Sequence, residues 1–113
     1  MLTGAHVIVY SKDAAADAAF LRDVLGLGFV DLGHNWLIFR LPPAEAAVHP
    51  SESNDSRELY FMCDDVTAFI AEMKKKNVAC AAVKEERWGL LTDVTLPGGG
   101  KIGVYQPKHA SPP

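Results

Sequence analysis

The chain reads as one pattern written twice. Residues 6–10 (HVIVY) carry the β-branched and aromatic residues of a strand and lead into a helix started by aspartate; 58–63 (ELYFMC), followed by Asp64 and Asp65, begin in the same way. A shift of 52 residues sets His6 on Glu58, Tyr10 on Met62 and Asp13 on Asp65. A shift of 57 sets Ala46, Ala47, Val48, His49 and Pro50 on Gly103, Val104, Tyr105, Gln106 and Pro107, two apolar segments each closed by proline. Such a duplication restricts the fold more than any single motif, because both halves must build one supersecondary unit and bury their apolar faces together. An α+β sandwich without internal symmetry is the alternative.

Within the first half, Ser11 or Asp13 can cap a helix over 13–25, where Ala14, Ala18, Leu21 and Leu25 recur at helical spacing and Gly26 stops it. Strands are expected over 29–32 and 36–41, separated by a turn at 33–35 and ended by Pro42 and Pro43, then over 44–49, closed by Pro50. The polar stretch SESNDS (51–56) reads as a linker. In the second half a strand over 58–63 precedes a helix over 66–76, whose Val66, Phe69, Ile70 and Met73 share one face. Strands over 79–83, 90–96 and 102–106 follow, with Gly98, Gly99 and Gly100 as the last turn. The order is βαβββ, linker, βαβββ. That predicts one α+β domain over 1–113, with module one about 3–50, the linker 51–56 and module two about 57–107.

Composition removes several classes of function. At 113 residues, 49% hydrophobic and 22% charged, the chain can bury a core without staples. A net charge of −3 offers no basic face, so no nucleic-acid partner is expected. Lys74, Lys75 and Lys76 form the one basic run, where a helix end favours cations. No apolar stretch approaches the roughly 20 residues that span a bilayer, so no membrane partner is expected. Met1 to Tyr10 lack the basic start and small-residue site of a signal peptide, which makes the cytoplasm the expected address. Cys63 and Cys80 sit in apolar segments without CxxC spacing and read as buried free thiols, a disulfide or catalytic thiol being the alternative. Gly98 to Gly100 join two strands with no helix after them, so a tight hairpin is expected there rather than a phosphate loop.

Three separated segments carry a resemblance. "HVIVYSKDAAADAAFLRDVLGL", "ELYFMCDDVTAFIAEMKKKNV" and "LPGGGKIGVYQP" resemble, in order and spacing, the opening strand and helix, the second-module start and the closing hairpin of the vicinal-oxygen-chelate superfamily. The likeness runs from about Thr3 to Pro107. That superfamily includes glyoxalase I, extradiol ring-cleaving dioxygenases, fosfomycin-modifying enzymes and metal-free bleomycin-sequestering proteins. The resemblance implies two βαβββ modules whose mixed sheets curl into a cup with the helices outside. In the enzymes a divalent metal at the cup's centre polarises two vicinal oxygens of the substrate, which takes three or four converging ligands.

Carried over position by position, the resemblance places His6 and Glu58 at the two first-strand ligand positions. The closing-strand position of module two, ordinarily Glu, is Gly103, and its module-one counterpart is Ala46. Two of four positions thus lack a donor, and a divalent metal is expected to bind weakly or not at all. Glu45 or His49 could supply a third ligand with a one-residue change of register, and His34 could reach the rim. Restoring a carboxylate with Gly103→Glu is expected to raise metal affinity if the cup tolerates the bulk.

Strand alternation gives an independent division. With His6 facing the cup, Ile8 and Tyr10 face it too; with Glu58 inside, so are Tyr60 and Met62; with Gly103 inside, so is Tyr105. Val7, Val9, Leu59, Phe61, Cys63, Ile102 and Val104 then go to the helix layer. The expected catalytic residues are His6, Glu58 and Tyr105, with His6 and Glu58 also the candidate metal ligands. The expected ligand-binding residues are Tyr10, Trp36, Tyr60, Met62, Trp88 and Gly103, the tryptophans stacking on a flat molecule or plugging the sheet ends. Two functions follow. One is a glyoxalase- or dioxygenase-like enzyme on a small oxygenated substrate, with His6 and Glu58 as ligands or an acid/base pair. The other is metal-free sequestration of a small molecule, favoured by the room left at Gly103 and Ala46. The resemblance also implies a homodimer.

Overall fold

The structure, a computed structural model, describes residues 6–34, 36–45, 47, 50, 52, 54–110 and 112. Its elements run α1 (Ala14–Asp23), β1 (Phe29–Asp31), β2 (Leu37–Phe39), β3 (Tyr60–Met62), α2 (Val66–Lys75), β4 (Lys84–Glu86), β5 (Gly89–Thr95) and β6 (Lys101–Pro107). The fold is α+β. β1 and β2 form an antiparallel hairpin, and the other four strands form a mixed sheet in the order β3-β6-β5-β4. β3 runs parallel to β6, while β6, β5 and β4 pair antiparallel.

Both helices start on an aspartate. Asp13 accepts from Ala16 N at 3.1 Å and Asp65 from Ala68 N at 3.0 Å, each filling one of the donors that a helix start leaves open. Gln106 Oε1 takes a further one, Val66 N, at 3.0 Å, and so fastens α2 to β6. At the other ends, Gly26 (φ 69°) closes α1, and Lys76 Nζ donates to Val24 O at 3.2 Å, placing a cation on the carbonyl end of α1.

The core lies between the helices and one face of the four-stranded sheet. Phe20 of α1 and Met73 of α2 pack with Val94 and Leu96, and with Ile102 and Val104 of β6; Leu59, Phe61, Cys63 and Phe69 fill in around them. Alternation along β3 and β6 sends these residues to the helix side and leaves Tyr60, Met62, Gly103 and Tyr105 on the concave side. Asp17, buried in α1, accepts from Gly98 N at 2.8 Å in the β5–β6 turn, where Gly99 (φ 97°) makes the tight reversal. The three glycines therefore form a hairpin, with Leu96 N donating to Gly100 O at 2.8 Å.

Two expected elements differ, and a third falls partly outside the described residues. Residues 6–10 form no strand and are exposed among the described residues; they pair with neither of the open edges that β3 and β4 present. Where a strand was expected over 79–83, the chain makes one isolated bridge, Cys80 to Val94, and the strand comes later at Lys84–Glu86, which the Arg87–Trp88 turn folds against β5. The strand expected over 44–49 includes Ala46, Val48 and His49, which lie outside the described residues. The helix of the first module packs on the sheet of the second, and the β1–β2 hairpin keeps Phe29 and Val30 exposed.

Candidate functional site

Register fixes the floor of the concave face in two rows. Tyr60 lies beside Gly103, which lies opposite Asp93; Met62 lies beside Tyr105, which lies opposite Leu91. Val7, Ile8, Val9 and Tyr10 border an open cavity of about 620 Å³ on this face, lined further by Glu58, Tyr60, Leu91, Asp93 and Gly103. That volume suits a small organic ligand. Arg57, Lys84 and Lys101 stand on the same lining.

Tyr60 controls the centre. A Cβ built on Gly103 would fall into the Tyr60 ring, meeting Cδ1 and Cε1 at less than van der Waals separation. The side-chain space at position 103 is thus already filled, by a neighbour on the next strand. The Tyr60 hydroxyl is held above the ordinary phenol range by burial first and then by the nearby Glu58 carboxylate. Its ring meets Trp88 edge-on at 5.9 Å and Tyr105 at 6.0 Å, and Trp88 meets Tyr105 at 5.0 Å. Gly89 permits this cluster, since a Cβ there would stand 2.8 Å from Tyr105 Cδ2 and 2.7 Å from Gln106 O.

At the far end of the floor, the Tyr105 hydroxyl meets His109 Nε2 at 3.1 Å, and Glu45 Oε1 lies 3.7 Å from the same nitrogen. His109 Nδ1 faces Ala110 O at 2.9 Å. A carbonyl oxygen only accepts, so Nδ1 carries a proton, and in the neutral ring Nε2 accepts from Tyr105. Burial, with the Glu45 carboxylate reinforcing it, pushes the Tyr105 phenol up.

The expected site residues divide. Glu58, Tyr60, Gly103 and Tyr10 line the cavity, while Met62, Tyr105 and Trp88 belong to the floor and its aromatic end. His6 is exposed, outside any strand, and makes no hydrogen bond or ion pair with Glu58 among the described residues. Trp36 stands 64% exposed at the β1–β2 hairpin and is not part of the cavity lining. Asp93 and His109 were not expected. Alternation back from Gly103 would have found Asp93, a lone carboxylate in an apolar strand; nothing in the sequence signals that His109, beyond the closing proline, folds back on Tyr105.

The donor set among the described residues does not fit a divalent metal. Among the described residues no three His, Cys, Asp or Glu side chains converge, Gly103 offers nothing, and the Tyr60 ring occupies the space a ligand there would need. Among the described residues no helix is long and apolar enough to cross a membrane.

No protein-family model matches the chain, and no curated protein matches it. Solved structures do. The chain is similar to TnmS3, an antibiotic binding protein from Streptomyces sp. CB03234, with 24% identity and a TM-score of 0.65 over 96% of this chain and 100% of that one. It is similar to a lactoylglutathione lyase from Agrobacterium tumefaciens, with 19% identity and a TM-score of 0.63 over 92% of each chain. A glyoxalase/bleomycin resistance protein from Streptomyces sp. CB03234 matches with 21% identity and a TM-score of 0.54, over 87% of this chain and 95% of that one. The fold is that of the vicinal-oxygen-chelate proteins.

Proposed function

We propose that the protein binds a small, flat, largely apolar molecule in its cup, by shape and aromatic contact rather than through a metal. The observation that carries this reading is the Tyr60 ring lying over Gly103, which puts an aromatic wall where the fold's enzymes would place a ligating carboxylate. Val7, Ile8, Val9 and Leu91 supply apolar lining, and each Å² of it removed from water contributes about 25 cal/mol. The likeness to an antibiotic binding protein along its full length supports the same reading.

The functional unit we propose is a homodimer. The chain exposes 8999 Å², against about 6,000 Å² for a compact chain of this mass. Ile8, Phe29, Val30, Leu32 and Trp36 are among the exposed apolar residues, and the excess is well above the roughly 800 Å² that each partner buries in an ordinary interface. A second copy of the same chain supplies matching apolar surface.

Titration with a neutral tricyclic quinone, followed by Trp88 fluorescence, tests the cup. Micromolar binding that survives EDTA is expected, and Tyr60→Ala should change affinity at least tenfold. Binding that disappears with EDTA and returns with Zn²⁺ or Ni²⁺ would overturn the reading.

A second reading, an enzyme on a small oxygenated substrate, rests on Tyr105, His109 and Glu45, where the phenol hydrogen-bonds His109 Nε2 and the carboxylate stands 3.7 Å from the same nitrogen, a grouping suited to general acid–base work. Its test is product formation from an α-keto aldehyde or a catechol, with Tyr105→Phe and Glu58→Gln as the variants that should abolish it.

A further inference from the structure

The β4–β5 turn and the residues after β6 meet at one end of the sheet. Lys108 N donates to Trp88 O at 2.9 Å, and the register pairs Gly89 with Pro107, so one ladder holds turn and tail together. Arg87, Trp88, Lys108 and His109 line an open recess of about 400 Å³. None of the four lines the larger cup.

The parts of this recess differ in what they have left to offer. The Trp88 ring packs edge-on against Tyr105 and Tyr60 and stays 37% exposed. Lys108 Nζ is committed to Glu85 Oε2 at 2.6 Å, and that hydrogen bond holds the Glu85 carboxyl below its usual range. Both ring nitrogens of His109 are engaged, one with Ala110 O and the other with Tyr105 and Glu45. Arg87 makes no ion pair among the described residues. One uncommitted guanidinium therefore stands beside a packed indole, in a space large enough for a fused pair of rings.

We propose that this recess is a second binding site, for a planar aromatic monoanion: a ring lying against Trp88 and bearing one carboxylate that pairs with Arg87. A guanidinium presents two parallel N–H groups that match the two oxygens of a carboxylate, which a point charge does not. Glu85 and Glu45 flank the recess, so a single negative charge is accommodated and a doubly charged phosphate ester is disfavoured. The recess shares no lining residue with the cup, though Trp88 and His109 border the aromatic end of the cup's floor.

The test compares 2-naphthoate with 2-naphthamide, which share a ring and differ in charge. The probe is the Trp88 indole N–H cross-peak in ¹⁵N-labelled protein, identified by its loss in Trp88→Phe. The naphthoate should shift this peak and bind at least tenfold more tightly than the amide. In Arg87→Gln, a change at an exposed residue, the preference should fall below about twofold, and Arg87→Lys should restore only part of it. Equal affinities in the unaltered protein, or a preference that survives Arg87→Gln, would overturn the proposal. So would shifts confined to Val7, Val9 and Leu91, which would place the ligand in the cup instead.

Discussion

Tyr60 and Gly103 are cross-strand neighbours, and the tyrosine ring covers the α-carbon of the glycine. The absent side chain and the overlying ring are one feature: each accommodates the other. Gly103→Glu alone is therefore expected to displace Tyr60 and leave affinity for Zn²⁺ or Ni²⁺ unimproved, in contrast to what the ligand positions suggest from sequence. Gly103→Glu combined with Tyr60→Ala should bind either ion at least tenfold more tightly than the single variant, by calorimetric titration. A single variant that binds metal as well as the double one would show that the ring imposes no barrier.

The two concave-face phenols set an alkaline limit. Burial and nearby carboxylates push Tyr60 and Tyr105 above their ordinary value of 10.0, so the fold favours the neutral phenols. Their contribution to stability is whole below about pH 10 and is lost as pH rises through the raised folded-state values. Following tyrosinate absorbance in Tyr10→Phe, native protein should ionise later than protein in urea. The urea midpoint should hold from neutrality to about pH 9 and fall beyond 10.

Cys63 and Cys80 are half-buried, and burial is the main force raising both thiols; Asp93 adds to the rise at Cys80. Since the thiolate is the nucleophile, both should react slowly with a disulfide reagent at pH 7.5 in the native protein and quickly in denaturant. Burst labelling of either in the folded protein would contradict this placement.

Met73 lies 3% exposed where both helices meet the sheet. Met73→Ala should cost about 2–5 kcal/mol, read from urea unfolding. An equally conservative change on the helix surface, Lys75→Ala, should cost less than about 0.5 kcal/mol.

Val30 stands 58% exposed on the β1–β2 hairpin. If a second copy covers it, Val30→Asp should convert a dimer into monomer in sedimentation, at unchanged helical content. A wild-type chain that sediments as a monomer at high micromolar concentration would remove the dimer.

Much of this arrangement is legible before any coordinates. Asp13 and Asp65 announce the helix starts, and the alternation of Leu59, Phe61, Ile102 and Val104 assigns the core face. Local rules suffice there because capping and strand parity act within a few residues. What could not be read depends on distant partners. HVIVY has every mark of a strand, but local pattern does not say which edge a strand joins, and here it joins none. His6, in the same segment, stands exposed and outside any strand. The Tyr105–His109 contact depends on how the chain turns after Pro107, for which no residue pattern is diagnostic.

The hydrogen bond from Gly98 to Asp17 spans 81 positions of the chain, and Phe20 of the same helix sits in the opposite module's core. The duplication written in the sequence is therefore not a duplication of autonomy. Cut at the linker, the second half would lose one of the two helices covering its sheet, and the first would hold a helix with its apolar side bare. Co-expressed fragments 1–53 and 54–113 are expected to fold only together, since neither half retains a closed interior of its own.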